Sequence, residues 1–457
     1  MSNWKVMKLS EVATIVGGGT PSSSKSEYFE NGNIPWITPK DLSGYNKRYI
    51  SKGERNITEL GLKNSSAKLL PKNTVLLTSR APIGYIAIAS NEISTNQGFK
   101  SLVLNDGHIP EFFYYLLKNN VHILESRATG STFKEISGQI LKDTELSIPT
   151  PDIQQKIVDI LSPLDDKIEL NTQINQTLEQ IAQALFKSWF VDFDPVRAKV
   201  EALSNGLSLE QAELAAMQTI SGKTPEELTA LSQTQPDRYA ELAETAKAFP
   251  CEMVEVDGGE VPKGWEKTTL SEICEMQNGY AFKSFDWMEQ GIPVIKIGSV
   301  KPIIVEVEGN GFVSEDYSKL KPDFLLTSGD ILVGLTGYVG EVGRIPTGKI
   351  AMLNQRVAKF LPKEIDKNHC FYNYIYCLAR QSQFKEFAEI NAKGSAQANI
   401  STKELLKFPI IKANDKLHIL FENRVKELLE RILWNSQNAE TLAKTRDLLL
   451  PRLLNGE

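Results

Sequence analysis

The sequence predicts an α/β (α+β) fold of two homologous heads joined by two long antiparallel helices in a coiled coil, with a pseudo-twofold internal repeat. Three observations predict it: self-similarity at offsets between 258 and 264 residues, a helical stretch in matched register after each copy, and a charge distribution that divides the chain. A period this long excludes a solenoid, whose units run to about 20 to 50 residues, and points to a duplicated domain.

The repeat opens with Trp4 to Gly18 (WKVMKLSEVATIVGG) and Trp265 to Gly279 (WEKTTLSEICEMQNG), ungapped at an offset of 261 and sharing Leu9-Ser10-Glu11 with Leu270-Ser271-Glu272. Further matches keep their order. Ile34-Pro35 answers Ile292-Pro293, Asn96-Gln97 answers Asn354-Gln355, and the aromatic run Phe112 to Tyr115 answers Phe371 to Tyr374. Gly130-Ser131 with Ile136-Ser137 answers Gly394-Ser395 with Ile400-Ser401. Within each copy, short β-rich runs such as Thr74 to Thr78, Tyr85 to Ala89, Asp330 to Gly334 and Arg356 to Leu361 are broken by Gly and Pro and followed by a helix.

After each head comes the helical stretch. Ser162-Pro163 with Asp165-Asp166 reads as a helix start, with Ser as N-cap, Pro at the first position and acid in the first turn. Apolar residues then fall at Leu164, Ile168, Ile174, Leu178, Ile181, Leu185 and Trp189, three and four apart. At an offset of 264, Leu428, Ile432, Leu442 and Leu449 repeat the pattern, and Asn171-Thr172-Gln173 is answered by Asn435-Ser436-Gln437. A polar residue on an apolar seam costs stability but can fix register, so the packing set is Leu164, Ile168, Asn171, Leu178 and Leu185 against Leu428, Ile432, Asn435, Leu442 and Leu449. The alternative is that each helix caps its own head.

Five segments follow: a first head over 1–151, a central spacer helix over 152–199, an acidic helical connector over 200–258, a second head over 259–411 and a C-terminal spacer helix over 412–457. In the connector, Ser208, Thr224-Pro225-Glu226-Glu227 and Pro236-Asp237 mark helix starts, and Gly258-Gly259 with Pro262 marks its end. The net charge is -6, but it is unevenly spread. Residues 1–151 hold 17 basic and 13 acidic side chains and 152–258 hold 8 and 19, while 259–411 balance at 18 and 18. The acidic middle is unsuited to face phosphate.

At 41% apolar and 24% charged, the 457 residues suit two to four globular domains, not disorder or a fibre. No apolar run approaches the roughly 18 residues of a membrane span and the start lacks a secretory h-region, so a cytoplasmic location is expected. Cys251, Cys274, Cys370 and Cys377 form no CxxC pair, which predicts reduced thiols and no zinc; His369 beside Cys370 reads as two half-buried residues before an aromatic helix.

Enzyme motifs fail on inspection. Gly343 to Lys349 matches a phosphate loop, but Ile350 stands where Ser or Thr must bind magnesium. Gly222-Lys223-Thr224 lacks the first glycine, Met217 standing in its place. Asp152, Asp165 and Lys167 have the composition of a nuclease site, yet Asp152 with Gln155 reads as a capping box and Asp165 as a helix start. There is no GxSxG, no HExxH and no Asn-Pro-Pro-Tyr or Asp-Pro-Pro-Tyr; Asp194-Pro195-Val196 is a distant echo of the last. No catalytic, cofactor or metal residues are assigned.

The order of these elements, with IPTPDIQQKI (Ile148 to Ile157), FKSWFVDFDPVRAK (Phe186 to Lys199) and VPKGW (Val261 to Trp265), resembles the specificity subunit of type I restriction-modification systems along essentially the whole chain. The second junction, Phe408 to Lys412, departs from that pattern in lacking the second proline and the Gln pair. The resemblance implies a non-catalytic subunit whose heads are target recognition domains, each reading one half of a split, asymmetric site in double-stranded DNA. It also implies helices that set the gap. The partners implied are two modification (methyltransferase) subunits and the restriction (motor-nuclease) subunits, which carry S-adenosylmethionine, ATP and Mg, with no cofactor on this chain and no membrane role. Pro163 to Trp189 is 27 residues, about 40 Å of helix, near the roughly 34 to 36 Å of one duplex turn.

Base-edge chemistry nominates DNA contacts, because Arg and Lys suit guanine and Asn and Gln suit adenine. In the first head these are Lys25, Arg80, Asn96, Gln97 and Lys134; in the second, Lys296, Asn354, Gln355, Arg356 and Lys393. The plainer alternative is solvated charge and, for the Asn-Gln pairs, a turn bonded to backbone. Recurrence of those pairs in both heads favours a shared structural role. Two other functional classes compete: a stand-alone methyltransferase or nuclease, and a DNA-independent two-headed interaction scaffold. Absent turnover would remove the first, and a salt-sensitive shift of duplex DNA the second.

Overall fold

The computed structural model describes residues 4–130, 134–256, 259–394 and 397–456; Ser131, Gly258 and Ser395 of the motifs above lie outside the described residues. The chain forms two compact units, Met1–Leu170 with Ala439–Glu457, and Asn171–Asn438. Each head is a mixed sheet of the same design. In the first unit the order is Ala13–Gly17, Lys100–Leu104, Val75–Ser79, Ile83–Ala89, Tyr49–Ile50, and in the second Cys274–Asn278, Val357–Pro362, Ile331–Gly334, Val342–Arg344, Ile303–Ile304. In both, the last strand alone joins in parallel. A smaller sheet repeats too. Trp36 and Ile37 pair in parallel with Ser94 and Thr95, and Val294 and Ile295 with Met352 and Leu353, every residue shifted by 258. The second head extends this smaller sheet with Trp287–Met288 and Leu325–Leu326.

The alternation in these strands explains why they pair as they do. Val75, Leu77 and Ile88 enter one core with Phe112, Phe113 and Tyr115, whereas Leu76, Ala87 and Ala89 enter another with Ile37 and Phe99. Side chains of successive strand residues point to opposite faces, so a strand with both faces apolar has to be covered twice. The aromatic helices Pro110–Asn119 and Tyr372–Ala379 supply one cover in each head.

Both long helices contain 40 residues, Pro151–Phe190 and Asp415–Leu454, about 60 Å each, and their boundaries differ by the same 264 as their sequences. The central helix begins at Pro151, one residue before the segment bound at 152, so the start signal read at Ser162-Pro163 lies inside it. Thr150 O accepts from the N–H groups of Ile153 and Gln154, so Asp152 sits in the first turn and forms no cap with Gln155. A helix-interior proline costs a hydrogen bond and clashes with the preceding turn. Burial of Ile157, Val158 and Leu161, all preceding Pro163, in the first head's core outweighs it. Asp165 and Asp166 are consequently ion-pair residues in mid-helix, bonded to Arg446 and Arg48 respectively. The central helix also stops at Phe190, short of the 199 expected. Phe193, with φ at +56° and its ring against Trp265, turns the chain into a separate helix, Asp194–Ser204.

The connector helices Leu209–Ser221 and Pro225–Thr234 start at Ser208 and Thr224 with capping boxes to Gln211 and Glu227, and Pro236–Ala248 starts on its proline. Lys199 is buried, its ammonium donating to the carbonyls of Ala246 and Phe249 at 3.0 and 2.7 Å. Buried charge needs such partners, and these tie the helix Asp194–Ser204 to the end of Pro236–Ala248.

In each unit the long helices run antiparallel and finish the core of a head. Ile157, Val158 and Leu161 join Leu450 and Leu454 in the first; Ala182, Phe186, Trp189 and Phe190 join Leu417, Phe421, Val425 and Ile432 in the second. Between these apolar stretches the seam is polar. Asn171 donates to Asn435 O at 3.4 Å and to Asn438 Oδ1 at 2.9 Å, and Asn175 accepts from the Asn435 amide at 2.9 Å. Asn171 and Asn435 are equivalent residues of the repeat in contact with each other. Of the other packing residues, Ile432 is buried and Leu164, Ile168, Leu178, Leu185, Leu428, Leu442 and Leu449 are half-buried.

Glu422 is buried against the start of the helix Tyr372–Ala379, accepting from the N–H groups of Asn373 and Tyr374 at 2.9 and 2.8 Å. Desolvation wins over those bonds and raises its pKa to about 7. Raised above its unfolded value, the group contributes stability that is full below pH 4.5 and is lost as pH rises through 7. Glu422→Gln is expected to unfold at a Tm that rises relative to the parent's as pH goes from 5 to 8, a differential of about 3 kcal/mol. Parallel thermal melts check this, and a pH-invariant difference would refute it.

Candidate nucleic-acid interface

Apart from Lys25, the nominated residues lie at or beside the place where three chain segments meet at the end of the middle strand of each large sheet. In the first head the strand exit at Ser79-Arg80 lies between the turn at Asn96 to Phe99 and the segment reaching Glu135 and Ile136. Ser79 N donates to Gly98 O at 2.7 Å and Ile136 N to Ser79 O at 3.0 Å. In the second head Leu335 N donates to Arg356 O at 3.0 Å and Ile400 N to Leu335 O at 2.9 Å. These are the same two bonds at equivalent positions. Bridges between Thr129 and Glu135, and between Lys393 and Asn399, close the third segment in each.

The Asn-Gln pairs make the turn itself. Asn96 Oδ1 accepts from Gly98 N at 2.9 Å and Asn354 Oδ1 from Arg356 N at 3.4 Å, so both asparagines serve backbone. Each turn rests on a glycine. A Cβ on Gly18 would lie 2.0 Å from Asn96 O and one on Gly279 2.1 Å from Asn354 O, which explains why glycine ends both repeat openings. Gln97 and Gln355 are exposed, Gln97 accepting from the Thr20 hydroxyl.

The charged residues differ in setting. Arg80 reaches Glu135 at 3.5 Å with both side chains over one-third exposed. Arg356 is exposed and donates to Gln397 Oε1 at 3.3 Å. Thr336, the counterpart of Arg80, donates to Asn399 Oδ1 at 2.6 Å. Lys134 and Lys393 are exposed on the third segment. Lys296 sits 4.0 Å above the Trp287 ring, and its neighbour Ile297 lies beside Gly337 of the strand-exit loop. Lys25 is placed apart, over Tyr28 and 3.9 Å from Glu27; the Tyr28 contact leads in raising its pKa. Glu135, Thr336, Gln397 and Asn399 were not nominated from sequence. Extending the repeat by its offset of 264 would have found the 135 and 399 pair.

The motif fragments are structural. Gly343-Arg344 ends a strand with no helix after it, and Lys223-Thr224 is a loop before a capped helix. Among the described residues no group of His, Cys, Asp or Glu is placed to hold a metal ion, and no helix is long and apolar enough to cross a membrane.

Comparison with known proteins places this geometry. The family profile described as "Type I restriction modification DNA specificity domain" matches residues 1–180 and 262–412, one copy on each head. The chain belongs to the type I restriction-modification specificity family. The HindI specificity subunit of Haemophilus influenzae is 41% identical over the whole of both chains, and the MjaIX specificity subunit of Methanocaldococcus jannaschii is 33% identical over the whole of this chain and 93% of its own. The crystal structure of a type I restriction-modification S subunit from M. genitalium shares the fold with a TM-score of 0.54 at 18% identity, covering 99% of this chain and 96% of the other. Specificity subunits are not the catalytic members of their systems, in keeping with the structural roles of the motif fragments.

Gly18→Ala or Gly279→Ala is expected to destabilise its own head by roughly 1 to 3 kcal/mol, because the turn must move off the added methyl group. Calorimetry of each variant checks it; an unchanged Tm would show that the turn yields freely.

Proposed function

We infer that this chain is the DNA-reading subunit of a type I restriction-modification complex, one head for each half of a split, asymmetric site. The observation that carries this is the duplication: two heads with the same strand order and the same three-segment junction, each presenting different side chains. A duplicated frame with different side chains suits two different half-sites. The balanced or basic heads suit phosphate, and the acidic connector suits protein docking. Two 40-residue helices suit a spacer that sets the gap between half-sites.

The partners proposed are double-stranded DNA, two modification subunits and the restriction subunits, acting in the cytoplasm where the DNA is. S-adenosylmethionine, ATP and Mg would bind on those partners and none on this chain. Arg80, Gln97, Lys134, Lys296, Gln355, Arg356 and Lys393 remain the DNA contacts proposed; Asn96 and Asn354 serve the turn, and Lys25 would touch phosphate at most.

Replacing residues 1–151 with the corresponding head of another family member is expected to change one half of the recognised site and leave the other half and the gap intact. Mapping N6-methyladenine genome-wide in a host carrying the hybrid checks it. A motif altered in both halves, or in neither, would overturn the assignment of one head to one half-site.

A further inference from the structure

Equivalent positions of the two junctions separate into a constant set and a variable set, and the separation is chemical. Constant are the groups that build the frame: Gly18 and Gly279 under the turn, Asn96 and Asn354 bonding its backbone, and the paired bonds that hold Ser79 and Leu335 between the other two segments. Variable are three positions that the frame brings together, where Gly98 and Thr336 are buried and Arg80, Glu135, Arg356 and Asn399 reach solvent. The first head has Arg80, Gly98 and Glu135 there. The second has Thr336, Arg356 and Asn399.

Each junction thus holds one arginine, supplied from different segments: the strand exit in the first head, the turn in the second. Each arginine is steadied by an acceptor on the third segment, Glu135 at 3.5 Å or Gln397 at 3.3 Å. A guanidinium offers five donors in a plane, so a single contact leaves the fork free for a second acceptor. Arg80 and Glu135 are each more than one-third exposed, and Arg356 is exposed, so these forks are open to a ligand from outside. The acceptor pair that best fits such a fork on duplex DNA is guanine O6 and N7 in the major groove.

We propose that this junction is the base-reading centre of each head, with Arg80 oriented by Glu135 reading guanine in one half-site and Arg356 oriented by Gln397 reading guanine in the other. The inference rests on the DNA-specificity reading above and names its determinants. Thr336 and Asn399, bonded to each other at 2.6 Å, occupy the place that the Arg80 and Glu135 pair holds in the first head. The two heads therefore direct their arginines at different positions relative to a common frame, which gives unlike half-sites from like folds.

The test uses the full chain assembled with a modification subunit and a randomised duplex library, with methylation maps of hosts carrying the same alleles as the second readout. Arg80→Ala is expected to lose about tenfold to hundredfold discrimination at one guanine of one half-site, and Arg356→Ala the same in the other half, every other position being kept. Arg80→Lys and Arg356→Lys guard against misfolding and should retain guanine with a weaker preference. Transplanting the first triad onto the second head with Thr336→Arg, Arg356→Gly and Asn399→Glu should move the specified base within the second half-site. Weakening that is equal for all sequences, or a variant motif identical to the parent's, would overturn the inference while leaving the DNA-specificity reading in place. A parent complex without any sequence preference would remove that reading itself.

Discussion

Neither head closes its own hydrophobic core. In the first unit the sheet and the helix Pro110–Asn119 leave an apolar surface that Ile157, Val158, Leu161, Leu450 and Leu454 complete; in the second, Phe186, Trp189, Phe190, Leu417 and Phe421 do the same. Burial of apolar area is the dominant favourable term in folding, so a head and its helix ends form as one body. Each helix serves a head with one half of its length, which is why both exceed the roughly 10 to 14 residues usual for globular helices.

Electrostatics then orients what burial has attached. In the first unit Arg48 donates to Tyr115 and Ser162 O and pairs with Asp166, while Tyr115 and Arg446 both bond Asp165. In the second, Arg344 is fully buried, donating to Leu429 O at 3.1 Å and stacked on Tyr376, and Glu179 bonds the Tyr376 hydroxyl and Arg380. Each head therefore lays an arginine on the backbone of the long helix nearest to it, beside a tyrosine of its aromatic helix. Arg48 precedes the strand Tyr49–Ile50 whereas Arg344 ends the strand Val342–Arg344, so this clamp is alike in chemistry without being carried over residue by residue.

The division of the site into frame and variable side chains has the same logic. Groups that bond the backbone of the turn are held alike in both copies, as Asn96 and Asn354 are. Side chains nearby that pair with one another, Arg80 with Glu135 and Thr336 with Asn399, are free to differ because no turn backbone bond depends on them. A protein that must present two specificities from one architecture needs that separation, and a duplicated domain provides it.

Repeats, periodicity and capping signals determined the duplication, the presence of both long helices and the capped connector helices at Ser208 and Thr224, because these are local or repeating signals, while the order of particular motifs carried the resemblance to the specificity family. The structure alone decided that Pro163 lies inside a helix, since the penalty of a proline is local whereas the burial that outweighs it comes from another part of the chain. It alone showed that Asn96 and Asn354 serve the turn and that Glu135, Gln397 and Asn399 belong beside the arginines. Residues 80 and 135 are far apart in sequence, and their meeting depends on a strand, a turn and a closing segment whose hydrogen bonds leave no periodic trace. A sequence records which side chains are available; the tertiary hydrogen bonds decide which of them share a surface.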